Sequence, residues 1–191
     1  MDLPRELRTD RLLLRRWVAA DRVPFASLNA DPRVMEHLPA VLGAEESHAL
    51  VDRIERHFDD HGFGLWALEI PGVVAFAGFV GLSIPGFEAH FTPCVEVGWR
   101  LAADHWGHGY ATEAARRTVA FGFDHLHLKE IVSFTVPANH RSRRVMERIG
   151  MTHDLADDFD HPRVPERLRR HVLYRIRSTE RSPSVVHAGK S

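Results

Sequence analysis

In Asp104-His105-Trp106-Gly107-His108-Gly109-Tyr110-Ala111-Thr112-Glu113-Ala114-Ala115, two glycines lie between a strand-like run and a long helical pattern. The first turn of a helix has backbone N–H groups with no partner inside the helix, and the aligned peptide dipoles place about half a positive charge there. Gly107 and Gly109 carry no Cβ, so the loop can adopt positive φ and let a phosphate group approach the main-chain amides. No Lys-Ser or Lys-Thr pair and no third glycine follows, which excludes the P-loop and dinucleotide motifs. The stretch predicts another kind of phosphate site, with an ordinary turn before a helix as the alternative.

The patterns on either side of this loop predict an α+β protein. Strand-like runs are expected at Leu12–Trp17, Trp66–Ile70, Val73–Ile84, Val95–Leu101, Ile131–Val136, Met151–Leu155 and His171–Ile176. Helical patterns are expected at Asp21–Asn29, Pro32–Leu38, Glu45–Asp60, Tyr110–Leu126 and Asn139–Ile149. Pro71-Gly72 predicts a hairpin turn, and Asp157–Glu166 is expected to be a loop that bridges the last two strands. We expect one domain over residues 1–178 and a disordered tail over residues 179–191.

Several segments together resemble the GNAT N-acetyltransferase superfamily and, within it, the RimJ/RimL-like branch of ribosomal-protein N-acetyltransferases. The segments that carry the resemblance are Leu7–Arg15, Asp31–Met35, Val95–Leu101, Trp106–Ala114, Glu130–Val136, Asn139–Ser142 and Gly150-Met151. The superfamily prefers Gln or Arg at the position of Trp106, so the loop fits the branch better than the superfamily. The resemblance implies a mixed, twisted sheet of about seven strands, helices on both faces and a central splay that admits acetyl-CoA.

The resemblance also implies which residues hold acetyl-CoA. The strand Val95–Leu101 should bind the pantetheine arm through its backbone, and the loop Gly107–Ala111 should bind the pyrophosphate. The start of the helix at Asn139 should contact the pantetheine from the other side. The residues expected to bind the cosubstrate are Trp99, Arg100, Leu101, Trp106, Gly107, His108, Gly109, Tyr110, Ala111, Thr112, Asn139 and Ser142. Asn139 is equally well placed to be a helix N-cap, and one residue could serve both roles.

Transfer of an acetyl group to an amine needs a base for the amine and a proton or hydrogen bond for the leaving thiolate. Glu96 is the candidate base, with an ordinary strand carboxylate or an ion pair with Arg100 as the alternative. Ser142 is the candidate partner of the thiolate, because Met146 occupies the place where many superfamily members have a tyrosine. Tyr174 is a weaker candidate. Cys94 could form an acetyl-enzyme, although a lone thiol is more often structural.

Composition bounds the other possibilities. The 191 residues are 44% hydrophobic and have a formal net charge of −1, which suits one domain without a basic field for nucleic acid. A single cysteine, a charged N-terminus and the absence of an apolar run of about 20 residues predict a cytoplasmic protein that is not in a membrane. Fourteen histidines show no His-Glu-x-x-His spacing, so no metal site is expected.

Three functions remain open at this level. The first is an acetyl-CoA-dependent N-acetyltransferase, a monomer or homodimer, acting on a protein N-terminus or a small amine. The second is a non-catalytic acyl-CoA-binding regulatory domain. The third takes the arginines of the last segment as a nucleic-acid surface: Arg163, Arg167, Arg169, Arg170, Arg175 and Arg177. The alternation of polar and apolar residues there fits an edge strand better than such a surface.

Overall fold

The computed structural model describes residues 3–178, and the expected tail at 179–191 lies outside the described residues. The helices of that range are α1 (Arg22–Ala30), α2 (Pro32–Met35), α3 (Ala44–His61), α4 (Tyr110–Asp124) and α5 (His140–Arg148). Its strands are β1 (Leu7–Arg8), β2 (Leu13–Arg15), β3 (Leu65–Ile70), β4 (Val74–Ser83), β5 (Glu96–Leu101), β6 (Glu130–Thr135), β7 (Thr152–His153), β8 (Phe159–Asp160) and β9 (Arg170–Arg177). This mixture confirms the α+β prediction.

The strands form one mixed sheet in the order β1-β2-β3-β4-β5-β6-β9-β7, and β8 pairs with the other end of β9. Its strand pairs are antiparallel except that of β5 with β6, which is parallel and has a single register position, Glu96 opposite Val132. Beyond that position the two strands separate. The central splay expected from the resemblance is therefore present, in the middle of the sheet.

Helices cover both faces of the sheet. In β4, Phe79 and Leu82 point to opposite faces because they are three residues apart on one strand. Phe25 of α1 packs against Phe79, with ring centroids 6.0 Å apart. On the other face α4 approaches so closely that a Cβ at Gly122 would lie 2.7 Å from Ile131 and 3.1 Å from Leu82. The small residues of α4 thus let its N-terminus reach the splay.

The local predictions hold for the long elements and for β2 and α2, and fail for several short strands. The Pro71-Gly72 turn joins β3 and β4 as an antiparallel hairpin, as predicted. The β1 strand was not predicted, and β8 lies inside the segment predicted to be a loop. The Met151–Leu155 run forms only the two-residue β7 and then a 3-10 turn. These short strands depend on pairing with a neighbour rather than on their own alternation.

Candidate active site

A cavity of about 600 Å³ occupies the splay between β5 and β6. It is lined by β3, β4, β5 and β6, by α2, by the loop before α4 with the first turn of that helix, and by α5. Twelve of the thirteen residues predicted from the sequence lie on its wall: Glu96, Trp99, Arg100, Leu101, Trp106, Gly107, Gly109, Tyr110, Ala111, Thr112, Asn139 and Ser142. The residues singled out by the sequence are therefore brought together around one space.

The free edge of β5 faces this space. Val132 donates its N–H to the carbonyl of Val95 at 2.9 Å, and Ala102 donates to Ala77 on β4 at 2.9 Å. Peptide groups alternate between the two edges of a strand, so the N–H and C=O groups of Trp99 point into the splay and those of Arg100 point to β4. Trp99 is thus placed to contact a ligand through its backbone. Arg100, for which a backbone contact was expected, presents its side chain to the cavity instead.

The loop before α4 has the geometry of an anion site. Gly107 and Gly109 have φ of 82° and 81°, the left-handed region that favours glycine. A Cβ at Gly107 would meet no protein atom within 4 Å, so backbone conformation rather than crowding requires glycine there. The first N–H groups of α4 follow directly from Gly109, which is the N-cap. The loop therefore leaves open space over partially positive amides.

The one acidic side chain in the first turn of α4 is held away from this anion site. Glu113 accepts hydrogen bonds from the hydroxyl of Thr9 at 2.5 Å and from Nε of Arg11 at 2.7 Å. Burial opposes ionisation, but these bonds outweigh it and keep the pKa of Glu113 below its usual value. The Arg11 guanidinium also lies 4.9 Å from the centre of the Tyr110 ring. The β1–β2 region thus neutralises the charge that would repel a phosphate.

Trp106 ties the loop to the end of β5. Its Nε1 donates to the carbonyl of Leu101 at 3.0 Å, and the Arg141 guanidinium stacks 4.3 Å from its ring. His108 is the predicted residue that does not line the cavity: it is exposed and stacks on Tyr110. Its carbonyl accepts a hydrogen bond from Arg11 at 3.1 Å, so His108 shapes the loop from outside.

Glu96 lies where β5 and β6 meet, at the narrow end of the cavity. Its carboxylate makes no hydrogen bond or ion pair with any of residues 3–178. Desolvation raises its pKa to about 8. Within residues 3–178, Trp66 Nε1 is the only fully buried polar side-chain atom without a partner, so the Glu96 oxygens are reached from the cavity. The ion pair with Arg100, which was the alternative to a catalytic role, is absent from this range, and Glu96 is an accessible carboxyl poised to exchange a proton near neutral pH.

Asn139 and Ser142 lie across the splay from β5. Asn139 is the N-cap of α5, since its Oδ1 accepts from the backbone N–H of Ser142 at 3.2 Å while its Nδ2 donates to Thr135 at 3.0 Å. The amide keeps one unused donor and one lone pair for a ligand. The Ser142 hydroxyl has no hydrogen bond to residues 3–178 and faces the cavity. Both residues are free to make the contacts expected of them.

Tyr174 and Cys94, the weaker candidates for a catalytic role, lie outside the cavity wall. The Tyr174 hydroxyl donates to Glu147 at 3.1 Å and accepts from Arg143 at 3.3 Å, and the residue does not line the cavity. Cys94 also lies off the cavity wall, and burial raises the pKa of its thiol to about 11. A thiol with that pKa is a poor nucleophile at neutral pH.

The arginines of the last segment are largely paired with carboxylates. Arg175 binds Glu130 at 2.6 Å and Asp157 at 2.7 Å, and Arg177 binds Glu130 at 2.8 Å. Arg169 lies 2.9 Å from Glu166 and Arg170 lies 3.6 Å from Asp160, so four of the six arginines have an acidic neighbour. This pairing weakens the hypothesis of a nucleic-acid surface. Over residues 3–178 no group of three or more potential metal ligands occurs, and none of the helices there has the length and apolarity to cross a bilayer.

Part of the cavity wall comes from elements other than β5, the glycine loop, α4 and α5, and its residues were not predicted from the sequence. Arg33 and His37, in and just after α2, line the cavity beside β5. Phe134 of β6 also lines it and packs against Phe87, whose loop connects β4 to β5. No local pattern in the sequence marked these residues, because contacts between distant segments leave none.

The chain resembles known acetyltransferases in sequence and in structure. The family described as Acetyltransferase (GNAT) domain matches residues 11–152. The uncharacterized protein YkkB of Bacillus subtilis is 32% identical over 152 residues, covering 79% of this chain and 87% of that protein. An acetyltransferase structure from Agrobacterium tumefaciens has a TM-score of 0.74 and 28% identity, covering 93% and 96% of the two chains. The ribosomal-protein-S5-alanine acetyltransferase of Vibrio fischeri has a TM-score of 0.71 at 16% identity, covering 93% and 99%, and so shares the fold.

Proposed function

We propose that this chain, which belongs to the GNAT acetyltransferase family and is an acetyl-CoA-dependent N-acetyltransferase, acetylates a primary amine by direct attack within a ternary complex. The observation that carries the proposal is the layout of the splay. An accessible carboxyl, Glu96, lies at its narrow end, and the glycine loop with the N-terminus of α4 borders the same cavity. One cavity thus offers a phosphate site and a proton acceptor.

Acetyl-CoA would be held along the free edge of β5. The pyrophosphate fits the loop Gly107–Ala111, where glycine φ angles and helix amides favour an anion. The pantetheine amides would pair with the peptide groups of Trp99, as a further strand would. Asn139 would add a hydrogen bond from the opposite side with the donor its capping role leaves unused.

The attacking amine must be neutral. An α-amine with a pKa near 8 is unprotonated in about one molecule in ten at pH 7, and a lysine amine near 10.4 in about one in 2,500. Glu96 would accept the amine proton directly or through a water molecule. Its pKa of about 8 suits this role, because the ionised form is present near neutral pH and is basic enough to take the proton.

The transition state places negative charge first on the thioester oxygen and then on the sulfur. The N–H of Trp99 points into the splay and is a main-chain donor available to the oxygen. The free hydroxyl of Ser142 would donate a hydrogen bond to the leaving thiolate. Cys94, off the cavity wall and with a raised pKa, supports transfer without an acetyl-enzyme.

The acceptor amine is that of a protein N-terminus or a small molecule, and the RimJ/RimL-like branch is part of the proposal. The loop Trp106–Ala114 supports that branch by its sequence. The loop at 85–91 and the segment at 157–166, which contains β8, would influence acceptor choice, since Phe87 and Phe159 pack against Phe134 of the cavity wall. A single domain over residues 1–178, a cytoplasmic setting and a monomer or homodimer complete the proposal.

Free-thiol release from acetyl-CoA, measured with and without a panel of amines, tests this function. We expect release that depends on the amine and matches the acetylated product counted by mass spectrometry. The variant Cys94→Ala should retain this activity, because direct transfer does not use the thiol. Binding of acetyl-CoA without turnover on any amine would favour the non-catalytic acyl-CoA-binding alternative, and loss of activity in Cys94→Ala would favour an acetyl-enzyme.

A further inference from the structure

Arg100 is a cation that the acetyl-transfer steps above do not use. Its side chain leaves β5 on the same face as that of Glu96, because the two residues are four apart on one strand. Nη1 donates a hydrogen bond of 2.6 Å to Oδ1 of Asn29 on α1, and the guanidinium lies 5.4 Å from the centre of the Phe79 ring. Arg100 also lines the cavity. The guanidinium is therefore directed toward α1, on the Glu96 face of β5.

The side chain of Asn29, which accepts the hydrogen bond from Arg100, is itself held in place. It is fully buried, and its Nδ2 donates at 3.1 Å to the hydroxyl of Ser47 on α3, which is also fully buried. The amide oxygen of Asn29 is thus committed to the guanidinium, and two packed helices hold it in place. Such a bond orients Arg100 before any ligand arrives, which lowers the entropic cost of binding.

No carboxylate among residues 3–178 neutralises Arg100. Two other arginines of the cavity wall have acidic partners, Arg33 with Asp31 at 2.7 Å and Arg141 with Glu36 at 3.1 Å. Desolvation lowers the pKa of Arg100 to about 10, which an ion pair would have opposed. Its remaining nitrogens are not among the fully buried unpaired atoms, so they open to the cavity. A desolvated cation with free donors is costly unless an anion joins it.

We propose that Arg100 binds a carboxylate of the acceptor, so that the preferred substrate is an amine that also carries a carboxylate. This rests on the proposed function and names its substrate class. The site lies on the Glu96 face of β5, whereas the peptide groups that suit pantetheine lie along its edge. The Cα atoms of the two residues are about 13 Å apart on an extended strand, so the amine and the carboxylate are separated by a spacer. Acidic peptides and amino acids with a distant carboxylate have this form.

Matched acid and amide acceptors test the proposal. The dipeptide amides Ala-Glu and Ala-Gln have α-amines of nearly equal basicity and differ in one charge, as do 5-aminopentanoate and its amide. We expect the wild-type enzyme to prefer each acid by about tenfold in kcat/KM, since a hydrogen-bonded charge pair in a partly dry site has that effect. Added salt should reduce the preference.

Three variants assign the preference to Arg100. Arg100→Gln should reduce the ratio to about one, and Asn29→Asp should reduce it by supplying an internal carboxylate at the same hydrogen-bond distance. Arg33→Gln, which alters a paired arginine of the same wall, should retain the ratio. Circular dichroism identifies any variant that fails to fold. If Arg100→Gln fails, Arg100→Lys, which retains a charge, replaces it and should keep part of the acid-over-amide preference in kcat/KM.

Other results of these assays would overturn either the role of Arg100 or the proposed function. An equal rate for acid and amide in the wild type, or an unchanged ratio in Arg100→Gln, overturns the proposal while acetyl transfer itself stands. If Arg100→Gln raises the KM for acetyl-CoA equally with the acid acceptor and with the amide acceptor, the proposal is also overturned, because Arg100 would then bind the cosubstrate. Absence of transfer to every amine, neutral ones included, refutes the proposed function instead.

Discussion

Replacement of Glu96 by glutamine should remove a steep pH dependence that the fold creates. Burial at the narrow end of the splay raises the pKa of Glu96 from 4.5 to about 8. The ionised fraction of such a group is about 1% at pH 6 and about 50% at pH 8, so kcat/KM should rise about 50-fold between those values. A carboxylate with the ordinary pKa would change its ionised fraction by only about 3% over the same range. Desolvation alone therefore decides between a steep profile and a flat one.

The assay needs an acceptor whose own amine stays neutral, so that the inflection belongs to the enzyme. An amine with a pKa well below 6 meets this need, with release of the CoA thiol as the signal. We expect the wild-type profile to bend near pH 8, and Glu96→Gln to be slow and flat across the range. A flat wild-type profile, or a variant that keeps the rise, would refute the assignment of Glu96 as the base.

Stability gives an independent check on the same residue. The folded pKa of Glu96 lies above the unfolded value, so its contribution to stability is fully present below about pH 4.5 and is lost as the pH rises through about 8. The difference is at most about 1.4 kcal/mol for each pKa unit, less where water reaches the carboxyl. The Gln variant should therefore gain stability relative to the wild type as the pH rises from 5 to 8. A constant difference in chemical unfolding would mean that the carboxyl is not desolvated.

Three further predictions concern the cosubstrate side of the cavity. Ser142→Ala should lower kcat by about tenfold with little change in the KM for acetyl-CoA, because the lost hydroxyl acts on the developing thiolate, and a fall in affinity without a fall in kcat would count against this. Gly107→Ala should weaken CoA binding in calorimetry by about tenfold, since its φ of 82° strains any other residue. Gly72→Ala is the matched control, because Gly72 has a φ of 77° and equally open surroundings but lies in the β3–β4 turn, so equal losses of affinity would contradict the loop assignment. Asn139→Ser should keep the α5 cap and the melting temperature but weaken CoA binding, whereas unchanged binding would leave Asn139 as a cap only.

Much of the cosubstrate side was readable from the sequence because its determinants are local. Gly107 and Gly109, the small residues of α4 and the cap at Asn139 all act within a few residues of where they stand. The positive φ angles and the N-terminus of α4 follow from those residues alone. The sequence therefore predicted the long elements and twelve residues of the cavity wall, which lie in β5, in the glycine loop with the first turn of α4, and at the start of α5.

The acceptor side was not readable because its determinants are long-range. Nothing near Arg100 indicates that its partner is Asn29, 71 residues away, or that Ser47 holds that partner. The sequence allowed an ion pair between Glu96 and Arg100, which share a strand face, and the structure separates them by turning Arg100 toward α1. The pKa of Glu96 likewise depends on how closely β5 and β6 meet, which only the sheet register defines.

Under the proposed function, one strand, β5, would serve two substrates, because a β-strand presents different groups in different directions. Its edge carries the peptide groups of Trp99, which can pair with an extended chain such as pantetheine. One face carries Glu96 and Arg100, which can address an amine and an anion, and the other face carries Val97 and Leu101, which are buried in the core. The splay frees the edge without removing either face from its packing. A substitution on the acceptor face can therefore alter substrate choice while the edge still binds acetyl-CoA, and this separation is what allows the acid and amide comparison to distinguish Arg100 from the cosubstrate site.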